Sequence, residues 1–164
     1  MKFALYIGSH TKDNPSVRLG WWLTRLVQKG EFANVTHVEA ILAEHDDGTV
    51  TIGSASIRDG GVRTKRCTLT PEHWIIVDVP KWSVVKARKW FADHEGEPYD
   101  TRGAFATAFP IQWAQKNHWF CNQAVADPFI NSASIFGPSQ FASIAVSIGN
   151  IVTAEFFEAR NAST

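Results

Sequence analysis

The sequence predicts an α+β domain, an antiparallel sheet covered by helices on at least one face. Three observations point there. Short apolar and β-branched runs follow one another between residues 35 and 79, separated by the turn signals Asp46-Asp47-Gly48 and Asp59-Gly60-Gly61. Apolar residues at helical spacing flank that run, at 17–28 before it and at 83–94 after it. No repeat, low-complexity tract or linker interrupts the 164 residues, so 1–164 reads as one domain with room for a sizeable core.

Residues 2–8 form a short apolar run ending at Gly8, without the cleavage site or long apolar stretch of a signal peptide, and read as the first strand. The polar 10–15 is a loop. Leu19, Trp22, Leu23, Leu26 and Val27 give 17–28 a helical period, closed by Lys29-Gly30. The alternating 35–43 is a strand, and 49–54 returns as the second arm of a hairpin. Strands follow at 62–69 and 74–79, the latter stopped by Pro80. Val84, Ala87, Trp90 and Phe91 make 83–94 a helix with Gly96 as its terminator. Residues 96–100 are loop, and the apolar 103–113 fits either element. A short helix over 120–126 is cut by Pro128, and Pro138 stands where a helix over 139–147 would begin. Residues 151–157 fit a strand or a closing helix, and 160–164 read as a frayed end.

Composition excludes several classes of function. Apolar residues are 45% and charged residues 20%, ordinary for a soluble globular chain. Sixteen basic side chains balance sixteen acidic ones, so the basic excess expected of a nucleic-acid or anionic-lipid binder is missing. No stretch approaches the roughly 20 apolar residues that span a bilayer. With no signal peptide, the expected location is cytoplasmic or phage-associated. Most of the seven Trp and eleven Phe are expected in the core or along groove walls. Cys67 and Cys121 lack metal-type spacing and are expected to be free thiols, Cys67 a structural one. No H-E-x-x-H, C-x-x-C or Gly-Lys-Ser/Thr loop occurs, so neither a metal nor a cofactor is expected.

Two residues remain to carry chemistry. Cys121, in His118-Trp119-Phe120-Cys121-Asn122-Gln123-Ala124, falls at a helix start, where the dipole and unpaired N–H groups favour a nucleophilic thiolate. Alone, a cysteine is more often a small buried hydrophobe. His37 sits in Val35-Thr36-His37-Val38-Glu39-Ala40-Ile41-Leu42, and a strand holds its imidazole at a fixed orientation, as a general base requires. Alternation puts His37, Glu39 and Ile41 on one face and Thr36, Val38 and Ala40 on the other. His118 reads as a lip residue, and His10, His45, His73 and His94 as solvent-facing.

Five pieces in succession add to this pair. They are Thr36-His37-Val38-Glu39; Ile52-Gly53-Ser54-Ala55-Ser56 with Gly60-Gly61-Val62-Arg63; Gly96-Glu97-Pro98-Tyr99-Asp100; Trp119-Phe120-Cys121-Asn122-Gln123; and Gly137-Pro138-Ser139-Gln140-Phe141. In that order, over about residues 3 to 145, the chain resembles the circularly permuted NlpC-like cysteine hydrolases. These are papain-fold proteins of the YiiX/YebB type, distantly related to lecithin:retinol acyltransferase. The resemblance implies a papain-like antiparallel sheet or small barrel packed against helices, with the sheet first and the cysteine helix late. It implies Cys121 as nucleophile, His37 as general base and a thioester intermediate. Tyr99 is similar to a family tyrosine beside the oxyanion site, to which the Cys121 N–H would also contribute; such aimed donors are worth roughly 3 kcal/mol each. Read from its own surroundings, Tyr99 is equally a packed loop residue.

A third group should hold the imidazole through its other nitrogen. The resemblance implies that it comes from the strand after the histidine. With the hairpin turning at 46–48, Ser54 and Ser56 qualify by location, and Glu39 by charge. The family commonly has Cys-Ser-Glu where this chain has Cys121-Asn122-Gln123. The implied function is cleavage of an amide or ester in a peptide, a peptidoglycan stem or an acyl lipid, with no nucleic-acid partner. The contrasting reading, favoured by Asn122-Gln123, is a non-catalytic binding or structural module that retains the fold.

Overall fold

The computed structural model describes residues 1–8, 31–106, 115–130 and 137–161; the helix expected over 17–28 and most of the apolar 103–113 lie outside them. In chain order the elements are β1 (Lys2–Tyr6), β2 (His37–Glu44), β3 (Val50–Ser56), β4 (Gly61–Cys67), β5 (Trp74–Asp78), α1 (Val84–His94), α2 (Thr101–Ala106), α3 (Cys121–Ala126), α4 (Pro138–Ile148), β6 (Asn150–Ile151) and α5 (Thr153–Asn161). The strands lie side by side as β4-β3-β2-β1-β5-β6, every neighbouring pair antiparallel. This is an α+β fold, an open antiparallel sheet packed against helices. The sheet does not close into the small barrel that was the alternative expectation, because β4 and β6 both remain edges. Lys65 and Arg66 are exposed on β4, and their charges discourage pairing with another chain.

Turn chemistry and alternation account for the sheet. Gly48 adopts a φ of 79°, open to glycine at little cost, and Asp47 Oδ1 accepts the Thr49 N–H at 3.1 Å to close the β2–β3 hairpin. A bulge interrupts the register between Ile41 and Ala43, and Arg88 of α1 donates through Nε to the Leu42 carbonyl there at 2.8 Å. Successive side chains sort into two cores. Phe3, Leu5, Val38, Ala40, Leu42 and Val77 face α1, α3 and α4, meeting Phe91, Val125 and Phe141. Ala4, Ile41, Ile52 and Ile76 face the other way, towards Phe156 of α5. Among the described residues no helix is long and apolar enough to cross a membrane.

The helices start where their first residues dictate. Ser83 accepts the Lys86 N–H and caps α1. Pro138 opens α4, where its missing N–H breaks no hydrogen bond, and Gln140 Oε1 accepts the Gly137 N–H at 2.7 Å. Residues 151–157, expected as strand or helix, hold parts of both, since β6 pairs with β5 and α5 begins at Thr153. The end expected to fray is anchored as far as Arg160, whose Nε donates to the Gly48 carbonyl at 3.0 Å and whose guanidinium lies 4.7 Å from the Phe156 ring centre. A long side chain that reaches the β2–β3 turn holds the helix end in place.

Candidate active site

The first residue of β2, His37, and the first residue of α3, Cys121, come together at the site. α3 rests on β2 and β3 and is buried along its whole length, with small Ala124 and Ala126 allowing close approach to the sheet. Phe120, extended and 2% exposed, precedes it and provides no side-chain cap. Residues 96–100, expected as loop, form an irregular strap that fixes the entry to this helix. The Glu97 carbonyl accepts the Val62 N–H at 2.8 Å, and the Tyr99 N–H donates to the Gly60 carbonyl at 3.0 Å. On the strap's other side, the Pro98 carbonyl accepts the Trp119 N–H at 3.0 Å and the Asp100 N–H donates to the Trp119 carbonyl at 2.9 Å. The strap thus joins the start of β4 to the segment leading into Cys121. Gly61 is required beneath it, since a Cβ there would stand 2.0 Å from the Glu97 carbonyl oxygen. The fully buried Asp100 secures the far end by accepting the Gly103 N–H at 2.7 Å and the Gln115 N–H at 3.0 Å.

His37 Nε2 lies 2.8 Å from Glu39 Oε1, the contact that two residues on one strand face can make. The Cys121 thiol is also within hydrogen-bonding reach of the imidazole. Burial alone would lower the imidazole's pKa. The charges of Glu39 and Cys121, with hydrogen bonds to both, outweigh it and hold His37 at about 9, against 6.5 for an unperturbed histidine. For Glu39 burial works upward, and the His37 charge and the Arg63 hydrogen bonds bring it down to about 2 from 4.5. Both groups are therefore ionised around neutral pH. The Cys121 sulfur is also 3.6 Å from Asn122 Oδ1, and the residue is 6% exposed.

The other expected site residues take separate places. Ser54 is buried, but its hydroxyl donates to the Val38 carbonyl at 2.7 Å, and Ser56 Oγ accepts the Arg58 N–H at 3.2 Å. Neither serine holds the imidazole; Glu39 does. Tyr99 is half-buried near Cys121, and desolvation followed by the charges of Cys121 and Asp100 pushes its phenol above the usual range, so it stays a neutral donor. His118 turns to the Lys116 carbonyl at 3.0 Å. Two histidines expected to face solvent are half-buried: His94 stacks on Trp90 with centroids 4.2 Å apart, and His45 bonds Thr51 Oγ1 at 2.8 Å. His73 is exposed, and His10 lies outside the described residues. Both cysteines are free. Cys67 is half-buried, and burial together with the Glu39 charge pushes its thiol up.

Sequence reasoning gave no role to Arg63 or Asp59. Arg63 grips Glu39 with two prongs, Nη1 to Oε2 at 2.7 Å and Nη2 to Oε1 at 2.6 Å, while its Nε donates to Asp59 Oδ2 at 2.7 Å. Arg63 carries no distinct signal in the sequence, since Lys65 and Arg66 follow it on the same strand. Among the described residues, the buried side-chain polar atoms without a partner are Thr36 Oγ1, Asn122 Nδ2 and Gln123 Oε1, all within two residues of His37 or Cys121. Unpaired buried polar atoms are costly, and two of these three belong to the residues that directly follow Cys121 on α3. Comparison with family models, curated proteins and solved structures finds no match to this chain.

Proposed function

We propose that the chain is a cysteine hydrolase or acyl transferase of the permuted papain-like kind, cleaving an amide or ester through a thioester on Cys121. The observation that carries the reading is the meeting of the Cys121 thiol with an imidazole whose Nε2 is held by a buried, ionised Glu39. The order of parts, with the sheet first and the cysteine helix late, is the order implied by the resemblance to NlpC-like hydrolases.

The chemistry follows from the charges. With the proton already held by the His37 imidazolium, the Cys121 thiolate attacks the carbonyl carbon to form a tetrahedral intermediate. The Cys121 N–H and the neutral Tyr99 hydroxyl are the donors proposed for the oxyanion. The imidazolium then protonates the leaving amine or alcohol as its bond to carbon breaks, leaving a thioester. A water or second acceptor attacks the thioester, His37 takes its proton, and the thiolate departs. Glu39 stabilises the imidazolium throughout. The substrate proposed is a peptide, a peptidoglycan stem or an acyl lipid.

The contrasting reading, a binding module that keeps the fold without turnover, is favoured by one observation: Cys121 is only 6% exposed. A screen of the wild-type chain and Cys121→Ala against muropeptides and acyl esters separates the two. Turnover by the wild type that is lost in C121A is the expected result. Inertness of both would favour the module.

A further inference from the structure

We propose that Arg63 is a positioning residue of this site, holding the Glu39 carboxylate in the plane and orientation that let it face His37. The same oxygen, Glu39 Oε1, meets both His37 Nε2 at 2.8 Å and Arg63 Nη2 at 2.6 Å. The second prong, Nη1 to Oε2 at 2.7 Å, stops the carboxylate from rotating about its last bond. The planar guanidinium can do this because its own angle is set by Asp59, 2.7 Å from Nε. Asp59 is in turn 3.4 Å from Lys65 Nζ. The path runs from Cys121 through His37, Glu39 and Arg63 to Asp59 at the turn into β4.

Burial gives the grip its force. Glu39 is 2% and Arg63 9% exposed, so water screens their attraction little and competes little for their hydrogen bonds. The register explains how residues from non-adjacent strands meet. Ala40 on β2 faces Gly53 on β3, and the next β3 residue, Ser54, faces Arg63 on β4. The small side chain of Ser54 is tucked against the Val38 carbonyl, which leaves the arginine a path across β3.

Among the described residues, the titratable and charged groups acting on His37 are Glu39 from its own strand and Cys121 from α3. Those acting on Glu39 are His37 and Arg63, and Cys67 of β4 also senses its charge. Tyr99 and Asp100 interact with the Cys121 side of the site. Without Arg63, burial would favour a protonated or rotated Glu39, and the imidazolium would lose its counter-charge.

The consequence for turnover rests on the hydrolase reading, but the test is made on the imidazole itself. The full-length wild type, Arg63→Lys and Arg63→Met are titrated by NMR of the His37 ring protons, with near-ultraviolet circular dichroism to establish folding. The His37 midpoint is expected to fall by about one pH unit or more in R63M. R63K, which keeps the charge and loses the fork, is expected to fall between R63M and wild type. A folded R63M or R63K with the wild-type midpoint would overturn the proposal, as would failure of both variants to fold, which would make Arg63 a structural tie alone. A chain inert in every hydrolase assay whose R63M midpoint nonetheless falls would keep this inference and end the hydrolase reading.

Discussion

At His37 the direction of the pKa shift determines how the site responds to pH. The folded value of about 9 lies above the unperturbed 6.5. Its contribution to stability is therefore complete below about pH 6.5 and is lost as pH rises through about 9. Glu39 runs the other way, at about 2 in the fold against 4.5 unperturbed. Its contribution is present above about pH 4.5 and disappears as pH falls through about 2. Any Cys121-dependent turnover should accordingly lose rate on an alkaline limb near pH 9, where the imidazolium that protonates the leaving group is lost, and a pH–rate profile checks this. Glu39→Gln should lower the His37 midpoint and, by leaving the Arg63 fork facing a neutral amide, cost roughly 3 kcal/mol in urea unfolding at pH 7. Glu39 was legible in the sequence because strand alternation alone puts it beside His37. Ser54 was misleading because a buried hydroxyl takes the nearest acceptor, here the Val38 carbonyl. Arg63 was not legible, since its contact depends on the register of two further strand pairings.

The strap is the element that ties the start of β4 to the segment leading into Cys121. It holds no regular secondary structure, only the bridges Gly61 to Pro98 and Tyr99 to Trp119. Two single bridges leave no periodic trace in a sequence, and Gly96-Glu97-Pro98 carries a turn signal, so the segment reads as loop. The hairpins were legible for the opposite reason, because Asp47-Gly48 and Gly60-Gly61 mark their turns chemically. Gly61→Ala tests the strap. The added methyl would meet the Glu97 carbonyl, and relieving that overlap should cost about 1–3 kcal/mol, read as a lower thermal midpoint. Because the strap also holds Trp119, G61A should perturb the His37 titration as well as stability. A variant destabilised but with His37 unchanged would show that the strap supports the fold without positioning Cys121.

Across the whole molecule, one sheet separates two cores, and the site lies where the beginning of β2 meets α3. The sequence carries the α+β class and the β2–β3–β4 meander because those depend on local pattern. It does not carry the placement of β1 between β2 and β5, a pairing of residues far apart in the chain. Phe156 of α5, 4% exposed, packs against the core on the sheet's other face, and Phe156→Ala should cost about 3–5 kcal/mol of stability in urea unfolding. The pairing of Cys121 with His37 is tested most directly by iodoacetamide alkylation near neutral pH, with both thiols followed by peptide mass in the wild type and in His37→Ala. Cys121 is predicted to react faster than Cys67, whose thiol is held up by burial and the Glu39 charge, and to lose that advantage in H37A. Slow labelling of both thiols at equal rates, unaffected by H37A, would contradict the pairing.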